Sequence, residues 1–475
     1  MGSVAYRFDT LIRNGVVVTA TDTTHADLAI LDGKIVQIAA HLEPDAECKV
    51  IDAQGRLVLP GGVDTHTHLD SPSQNMLTAD DFLSGTMAAA HGGTTTIVDF
   101  CFQQHGGTLT AALADWHRRA GGKAVIDYGF HMVVVDLNAT VEAELATLPA
   151  TGITSIKLFM AYKHGPMVDD LVLARVLMLS RDHGSLVLVH AENGDLAYLL
   201  QRQLLAAGER TPRAHALSRP PRVEAEAVAR AAALAETVGA DLFVVHVSCA
   251  EALEEIERAR TRGVRIFAET CPHYLYTSEE DLERPDFSGA KYVFTPPPRA
   301  RGQQALLWSA LADGRLQTVG SDHSSFNFRG QKDLGRDDFT LIPNGAPGIE
   351  ERMIALYQGV VQGRFSLNRF VELTATAPSK IFGLYPKKGT ITIGSDADLV
   401  IWDPERRHTL RQATLHHKVD YTLYEGMEVQ GAPETVLLRG VPLVDHGQFV
   451  GQPGCGRFVQ RTLHRHGQAP GRTSS

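Results

Sequence analysis

The stretch RLVLPGGVDTHTH, residues 56–68, starts with an apolar run and ends with two histidines on alternate positions. Successive side chains of a β-strand point to opposite faces, so His66 and His68 would project in the same direction. Two neutral imidazoles on one face suit a divalent metal such as zinc. Because histidine has many roles, a surface pair or a pair of satisfied core residues is the alternative for this motif alone.

Seven further apolar runs follow, and each has the length and composition of a buried strand. They are residues 94–100, 124–135, 153–162, 185–193, 241–249, 264–274 and 316–323. Stretches with helical periodicity lie between them, including residues 109–122, 171–184, 222–239 and 250–263. Eight strands that alternate with helices predict an α/β fold, a closed (β/α)8 TIM barrel rather than an open sheet.

Both ends of the chain differ from this middle part, because they contain short alternating strands and turn dipeptides. This texture covers residues 10–19, 25–39 and 48–58, and again 389–404 and 435–450. We therefore expect a smaller β-sandwich domain built from both chain ends beside a distorted barrel. The expected domains are 1–58 and 386–455 for the sandwich, 59–385 for the metal-dependent barrel, and 456–475 for a loosely held C-terminal tail.

Composition excludes several classes of protein. The 475 residues carry a formal net charge of −10, which argues against a nucleic-acid partner. No segment approaches the roughly 18 consecutive apolar residues that a membrane span needs. The N-terminus lacks the apolar core of a signal peptide, and the five cysteines form no C-x-x-C pair. A reduced, cytoplasmic protein is therefore expected.

Polar side chains recur near the C-terminal ends of the expected strands, where TIM barrels carry their chemistry. They are His66 and His68 in the first run, Lys157 in the fourth, His190 in the fifth, His246 in the sixth and Asp322 in the eighth. Each alone is weak evidence, but at one rim they predict a metal site together. A cationic lysine among such ligands is unfavourable, whereas its neutral amine could take up carbon dioxide and become an anionic carbamate. An ordinary structural lysine is the alternative.

The order of motifs resembles that of the hydantoinase and dihydropyrimidinase family, a branch of the cyclic-amide amidohydrolases. The motifs extend from about residue 50 to residue 385 and include GGVDTHTH (61–68), SIKLFMAYK (155–163), VHAENGD (189–195), HALSRPPRVEAEA (215–227), YVFTPPPRA (292–300) and IPNGAPGIEER (342–352). The resemblance implies a barrel with a β-sandwich, two zinc ions per subunit, and a homotetramer or a dimer. The stretches RPPRVEAEA and GRDDF resemble the bacterial D-hydantoinase group, which implies hydrolysis of 5-substituted hydantoins.

The resemblance also implies the ligands of the two zinc ions. These are, for one ion, His66, His68, Lys157 and Asp322, and, for the other, Lys157, His190 and His246. Lys157 would be carboxylated and would bridge the ions together with a hydroxide. The hydroxide would attack the ring carbonyl, with Asp322 as general base and acid, and the ring would open to an N-carbamoyl amino acid.

Five residues are implied to contact the substrate. Tyr162 would donate to the developing oxyanion, with a packed aromatic as its alternative. Backbone groups of Thr295 and Asn344 would hold the imide of the ring. Leu69 and Phe159 would belong to a hydrophobic gate over the exocyclic substituent.

Other polar and loop residues have plainer interpretations. Pro166 stands in the gate where a bulky or flexible residue is expected, which predicts a stiffer gate. His273 is a candidate partner that orients a metal ligand. Asp99 and Glu192 are interpreted as structural polar groups near the rim. The charge run at 330–339 is interpreted as a solvated loop or a subunit contact.

Three alternative functions stay open. A dihydropyrimidinase acting on dihydrouracil or dihydrothymine would use the same site, because both rings present the same imide-like edge. An allantoinase or dihydroorotase is less favoured, since dihydroorotases have arginine where this chain has Asp70, which would repel a substrate carboxylate. Non-enzymatic relatives lose the ligands, whereas the ligand set is complete in this sequence.

Overall fold

A computed structural model describes residues 8–44, 46–73 and 76–464 of the chain. The strands are β1 (Thr10–Val18), β2 (Thr23–Leu31), β3 (Lys34–Ala39), β4 (Lys49–Asp52), β5 (Leu57–Pro60), β6 (Gly62–Thr67), β7 (Pro72–Ser73), β8 (Met76–Leu77), β9 (Thr94–Phe102), β10 (Asp127–Val133), β11 (Ser155–Phe159), β12 (Leu186–His190), β13 (Leu242–Val244), β14 (Ile266–Thr270), β15 (Thr318–Val319), β16 (Leu399–Thr409), β17 (Glu428–Leu438), β18 (Val441–Asp445) and β19 (Gln448–Phe449).

The α-helices alternate with the strands of the middle part and continue beyond them. They are α1 (Phe82–His91), α2 (Leu109–Ala120), α3 (Ala139–Thr147), α4 (Asp170–His183), α5 (Gly194–Ala206), α6 (Arg213–Leu217), α7 (Pro221–Val238), α8 (Ala250–Thr261), α9 (Pro272–Tyr276), α10 (Gly302–Asp313), α11 (Glu351–Val361), α12 (Leu367–Val371) and α13 (Ala377–Ile381). The four helices predicted from periodicity are confirmed as α2, α4, α7 and α8. Within the described ranges, none of the helices has the length and apolar character to cross a membrane.

The middle part of the chain forms a barrel of eight parallel strands. Their order is β6, β9, β10, β11, β12, β13, β14 and β15. The last strand meets the first through a parallel bridge between Thr67 and His323, next to a 2.9 Å hydrogen bond from His68 N to the His323 carbonyl. The predicted TIM barrel is therefore confirmed, and its C-terminal mouth brings all eight strand ends together.

Both ends of the chain contribute to a second, separate sheet of nine strands. Its order is β19, β18, β17, β16, β5, β1, β2 and β3, with β4 paired to β1. The two ends meet where β5 pairs antiparallel with β16, with Leu59 opposite Val400. Because β5 leads through Gly61 into β6, the first barrel strand starts directly from this smaller β-domain.

The C-terminal segment is anchored to the barrel as far as the structure describes it. Val459 N donates to the Tyr128 carbonyl at 2.8 Å, and Tyr128 N donates to the Arg457 carbonyl at 2.9 Å. The expectation of a loosely held tail is wrong for residues 456–464, since backbone hydrogen bonds pair this segment with β10. Residues 465–475 lie outside the described residues.

Candidate active site

Four histidines and one aspartate meet in the C-terminal mouth of the barrel. The Nε2 atoms of His66 and His68 lie 3.1 and 3.3 Å from Asp322 Oδ1. The ring centroid of His246 lies 5.4 Å from that of His66 and 4.6 Å from that of His190. Donor atoms of His66, His246 and Asp322 all lie within 4.8 Å of one another. The side chains predicted from separate strand ends thus form one cluster.

Lys157 is buried on β11 beside this cluster. Its Nζ lies 4.9 and 5.1 Å from the ring centroids of Phe100 and Phe159. Burial lowers the pKa of Lys157 to about 7, although the carboxylates of Asp322 and Glu269 act in the opposite direction. A substantial fraction of this lysine is therefore a neutral amine near pH 7, which is the form that adds to carbon dioxide.

The cluster attracts positive charge and keeps its carboxylate ionised. Burial by itself lowers the pKa of His66, but Asp322 and Glu269 outweigh it and raise that pKa to about 9. Burial lowers the pKa of His68 to about 4, so this imidazole is neutral at pH 7. Burial disfavours the charge on Asp322, yet neighbouring His66 holds the pKa of the carboxyl well below its usual range. This field favours a bound cation.

The residues present fit a divalent metal ion. Buried His246 Nδ1 and Glu269 Oε2 have no hydrogen-bond partner in the part of the chain that the structure describes. Imidazole nitrogens with a carboxylate oxygen are ligands that zinc prefers. A protonated Lys157 and a protonated His66 would both oppose such an ion. Metal binding would displace the proton of His66, and a carbamate on Lys157 would reverse the sign of its charge.

Buried carboxylates orient two of the histidines. The Nδ1 of His66 contacts Glu269, and the Nε2 of His190 lies 2.8 Å from Glu192 Oε2. Each contact fixes one ring nitrogen and leaves the other for a metal. Glu192 also accepts a hydrogen bond from Arg219 Nη1 at 2.9 Å. It is thus a polar group near the rim that, in addition, positions His190. Glu269 was not singled out from the sequence. The available signal was a charged residue within the mostly apolar run 264–274.

Leu69 does not belong to the gate, which corrects the expectation from the sequence. Its side chain is fully buried and packs against Gly85 of α1. Its backbone N donates to Asp99 Oδ2 at 2.9 Å. Leu69 lies in the turn after β6, and this turn directs its side chain against α1 rather than into the cavity. In this loop the cavity is lined by Ser71 and Pro72 instead.

A cavity of about 1240 Å³ opens over the cluster. Four of the five predicted substrate residues line it, together with the gate proline and two aromatic side chains of the apolar wall. These residues are Phe159, Tyr162, Thr295, Asn344, Pro166, Phe102 and Trp116. The volume exceeds that of a five-membered ring, so a ring on the metal cluster leaves room for a large substituent.

One side chain that sequence reasoning missed supports the cavity wall. Lys332 Nζ donates to the carbonyls of Val293 and Pro343 at 2.8 and 2.9 Å. These carbonyls lie two residues before Thr295 and one residue before Asn344, so the amino group of one lysine joins both loops. The interpretation of the charge run as a solvated loop or a subunit contact is wrong at Lys332, which is fully buried.

Removing this clamp is expected to weaken substrate binding more than turnover. Lys332→Met leaves two buried carbonyls unpaired, at about 1–3 kcal/mol each, and lets the loops relax. We expect KM to rise about tenfold or more, with a smaller change in kcat, in steady-state kinetics. The exposed Lys387→Met is the control. A fall in kcat at unchanged KM would show that Lys332 does not act through substrate binding.

Comparison with known proteins identifies the class and then the branch. Residues 57–443 match the amidohydrolase family. The chain is 56% identical to a D-hydantoinase of Ralstonia pickettii and 54% identical to one of Rhizobium radiobacter, in each case over 96% of this chain and 100% of the relative. A crystal structure of dihydropyrimidinase from Brevibacillus agri is 52% identical and superposes with a TM-score of 0.94 over 96% of this chain and 99% of the other. The chain therefore belongs to the hydantoinase and dihydropyrimidinase branch of the amidohydrolase family, which confirms the resemblance.

Proposed function

We propose that the protein opens the ring of 5-substituted hydantoins, with preference for the D-enantiomer, to give N-carbamoyl amino acids. The observation that carries the proposal is the cluster of histidines, lysine and aspartate at the base of a cavity of about 1240 Å³. The names of the relatives support the reaction, since the proteins with 56% and 54% identity to this chain are D-hydantoinases. Hydrolysis of a cyclic amide needs an activated water and a proton for the leaving nitrogen. The proposed metal cluster and Asp322 would supply these two requirements.

We propose that two zinc ions occupy the cluster and that Lys157 is carboxylated between them. The proposed ligands are His66, His68, Lys157 and Asp322 for one ion and Lys157, His190 and His246 for the other. When bound, such ions lower the pKa of a water and polarise a carbonyl oxygen. The depressed pKa of Lys157 and its place among the histidines support the carbamate.

Asp322 is the proposed proton carrier of the reaction. Its carboxylate stays ionised at neutral pH, as a proton acceptor must, and it faces the cavity. It accepts the proton of the attacking water and returns it to the ring nitrogen as the C–N bond breaks. Its Oδ1 lies 3.1 and 3.3 Å from the Nε2 atoms of His66 and His68, so the carboxylate faces the same point as the two proposed ligands.

Tyr162 is the proposed donor to the oxyanion. It has a positive φ of 68° and lines the cavity, with the Arg219 guanidinium 5.6 Å from its ring centroid. Burial raises the pKa of Tyr162 above its usual value, so the hydroxyl keeps its proton and can donate it in a hydrogen bond. A donor aimed at the developing charge stabilises the transition state more than the bound substrate.

Loss of this hydroxyl is expected to slow turnover without preventing binding. Tyr162→Phe should reduce kcat by about 10²–10³, with little change in KM, as for other oxyanion donors. Steady-state kinetics with hydantoin measure the effect, and the exposed Tyr385→Phe is the matched control. A variant with normal kcat would remove Tyr162 from the mechanism.

We propose that backbone groups of Thr295 and Asn344 hold the imide edge of the ring, because both residues line the cavity at the loops that Lys332 joins. Phe159 and Pro166 stand over the remaining space and are proposed to contact the 5-substituent. Backbone groups would bind any ring that presents an imide edge. The choice between substrates would therefore depend on the contacts with the 5-substituent.

The first experiment is a substrate comparison with the purified protein after growth with zinc and bicarbonate. Ring opening of hydantoin, D- and L-5-phenylhydantoin and dihydrouracil is followed by chromatography of the products. We expect the D-phenyl compound to react fastest. Faster turnover of dihydrouracil would instead assign the dihydropyrimidinase alternative, which the Brevibacillus agri relative favours. No turnover of any compound by metal-loaded protein would refute the substrate class.

We also propose that the chain self-associates, with a homotetramer as the expected state. Helix α5 leaves Leu196 and Leu199 exposed one turn apart on the same side, and exposed apolar side chains that adjoin one another are typical of contact surfaces. Light scattering of the purified protein measures the mass directly, and a monomer would refute the proposal. We propose the cytoplasm as the location, because Cys101, Cys249, Cys271 and Cys455 carry free thiols, which a reducing compartment maintains.

A further inference from the structure

A second group of ligand atoms shares Asp322 with the metal cluster. Strand β14 ends at Thr270, and Cys271 and His273 follow at the start of α9. One donor atom from each of Cys271, His273 and Asp322 lies within 4.8 Å of the other two. None of the functions proposed above uses the thiol or this imidazole.

Both additional side chains are buried and available for a ligand. Cys271 is a free thiol with no exposed surface, and His273 is 2% exposed. His273 Nε2 has no hydrogen-bond partner among the described residues. The ring is held by Tyr274 and Phe294, whose centroids lie 4.3 and 4.4 Å away. A fixed, unpaired imidazole beside a thiol and a carboxylate is a donor set without a ligand.

The spacing and the chemistry of this group define the ion that it fits. Tetrahedral zinc with bonds of about 2.0–2.3 Å places its donors about 3.3–3.8 Å apart, so the three side chains would have to approach one another by up to about 1 Å to close around a cation. Sulfur and imidazole select zinc-like, thiophilic ions over magnesium or calcium. This donor set therefore differs from an acidic cluster that merely concentrates charge.

We propose that Cys271, His273 and Asp322 form an inhibitory site for a thiophilic divalent cation, such as cadmium or zinc in excess of the catalytic complement. On binding, the S–H bond of Cys271 breaks, an Sγ–metal bond forms, and the proton passes to the buffer. Asp322 then shares its carboxylate with this ion and no longer accepts the proton of the attacking water. The inhibition rests on the proposed function of Asp322, whereas uptake of the ion does not.

The position of the site predicts a slow onset of inhibition. Of the three side chains, Asp322 lines the cavity, whereas Cys271 and His273 lie outside the lining. An ion that enters through the cavity would meet Asp322 before it meets the buried thiol. Activity should therefore fall over the time of incubation rather than at once, and dilution should restore it slowly.

The test uses cadmium with the zinc-loaded protein. Metal analysis counts zinc and cadmium per subunit, and ultraviolet difference spectra follow the thiolate-to-cadmium charge-transfer band. We expect one ion more per subunit than in the isolated protein, together with the band and a loss of at least nine-tenths of the hydantoin turnover. Cys271→Ser should lose the band and the additional ion and stay active in cadmium, and His273→Gln should bind the ion at least tenfold more weakly.

Cys101→Ser is the matched control, because Cys101 is equally buried and belongs to no group of potential ligands in the described part of the chain. It should behave as the wild-type protein does. Wild-type protein that takes up no additional ion, or Cys271→Ser protein that still shows the band, would overturn the proposal. If the protein opens no hydantoin, the ion count and the band still decide whether the site exists, so failure of the proposed function remains distinguishable.

Discussion

Asp322→Asn is expected to abolish ring opening while the barrel remains folded. The amide is nearly isosteric, but it carries no charge and cannot accept a proton from water. General acid–base catalysis alone contributes about 10²–10⁴ to a rate, and Asp322 is also a proposed metal ligand. We therefore expect kcat/KM for hydantoin to fall by about 10⁴ or more, measured with saturating zinc.

The control for this variant is Asp182→Asn, which removes a carboxylate from the exposed face of α4. It should retain the activity of the wild-type protein. Circular dichroism and thermal unfolding of both variants would show that the fold is kept. An Asp322→Asn enzyme with substantial activity would contradict the assignment of Asp322 as the proton carrier.

Lys157→Ala is expected to lose bound zinc as well as turnover. The carbamate is the proposed bridge, so its loss leaves two cations close together without the anion between them. Metal analysis after dialysis should show less than half of the wild-type zinc per subunit, and turnover should fall by about 10³ or more, since a catalytic metal site is lost.

Lys157→Arg distinguishes a carbamate from an ordinary lysine at this position. Arginine keeps the positive charge but does not become carboxylated, since it stays protonated. If the unmodified ammonium were the functional form, this variant would keep more metal than Lys157→Ala. We expect both variants to be equally depleted, and wild-type zinc content in either of them would exclude the bridge.

Much of the fold could be predicted because local patterns and tertiary structure agree. The run that ends in His66 and His68 becomes β6, and the helical stretch 222–239 becomes α7. Eight buried strands of one direction leave few arrangements besides a barrel, and strand ends of a barrel share one mouth. The histidines, Lys157 and Asp322 could therefore be placed together without coordinates.

The missed features depend on packing between distant segments. The burial of Lys332 follows from loops that lie 39 and 11 residues away in sequence, and its charge resembles that of a surface residue. Glu269 acquires its role from His66 on another strand. Leu69 lies in the turn after β6, where strand alternation does not fix the direction of a side chain, and its burial follows from contact with α1. The anchored segment 456–464 has no periodic pattern that predicts its pairing with β10.

The central claim is that a zinc pair on the histidine, lysine and aspartate cluster opens a cyclic amide. The most direct measurement is hydantoin ring opening during a zinc titration of chelator-treated protein in bicarbonate buffer. The account predicts no activity without metal and a rise that saturates at two zinc ions per subunit. Full activity of the metal-free protein would contradict the account. A ring-opening rate that does not change as zinc is added would contradict it as well.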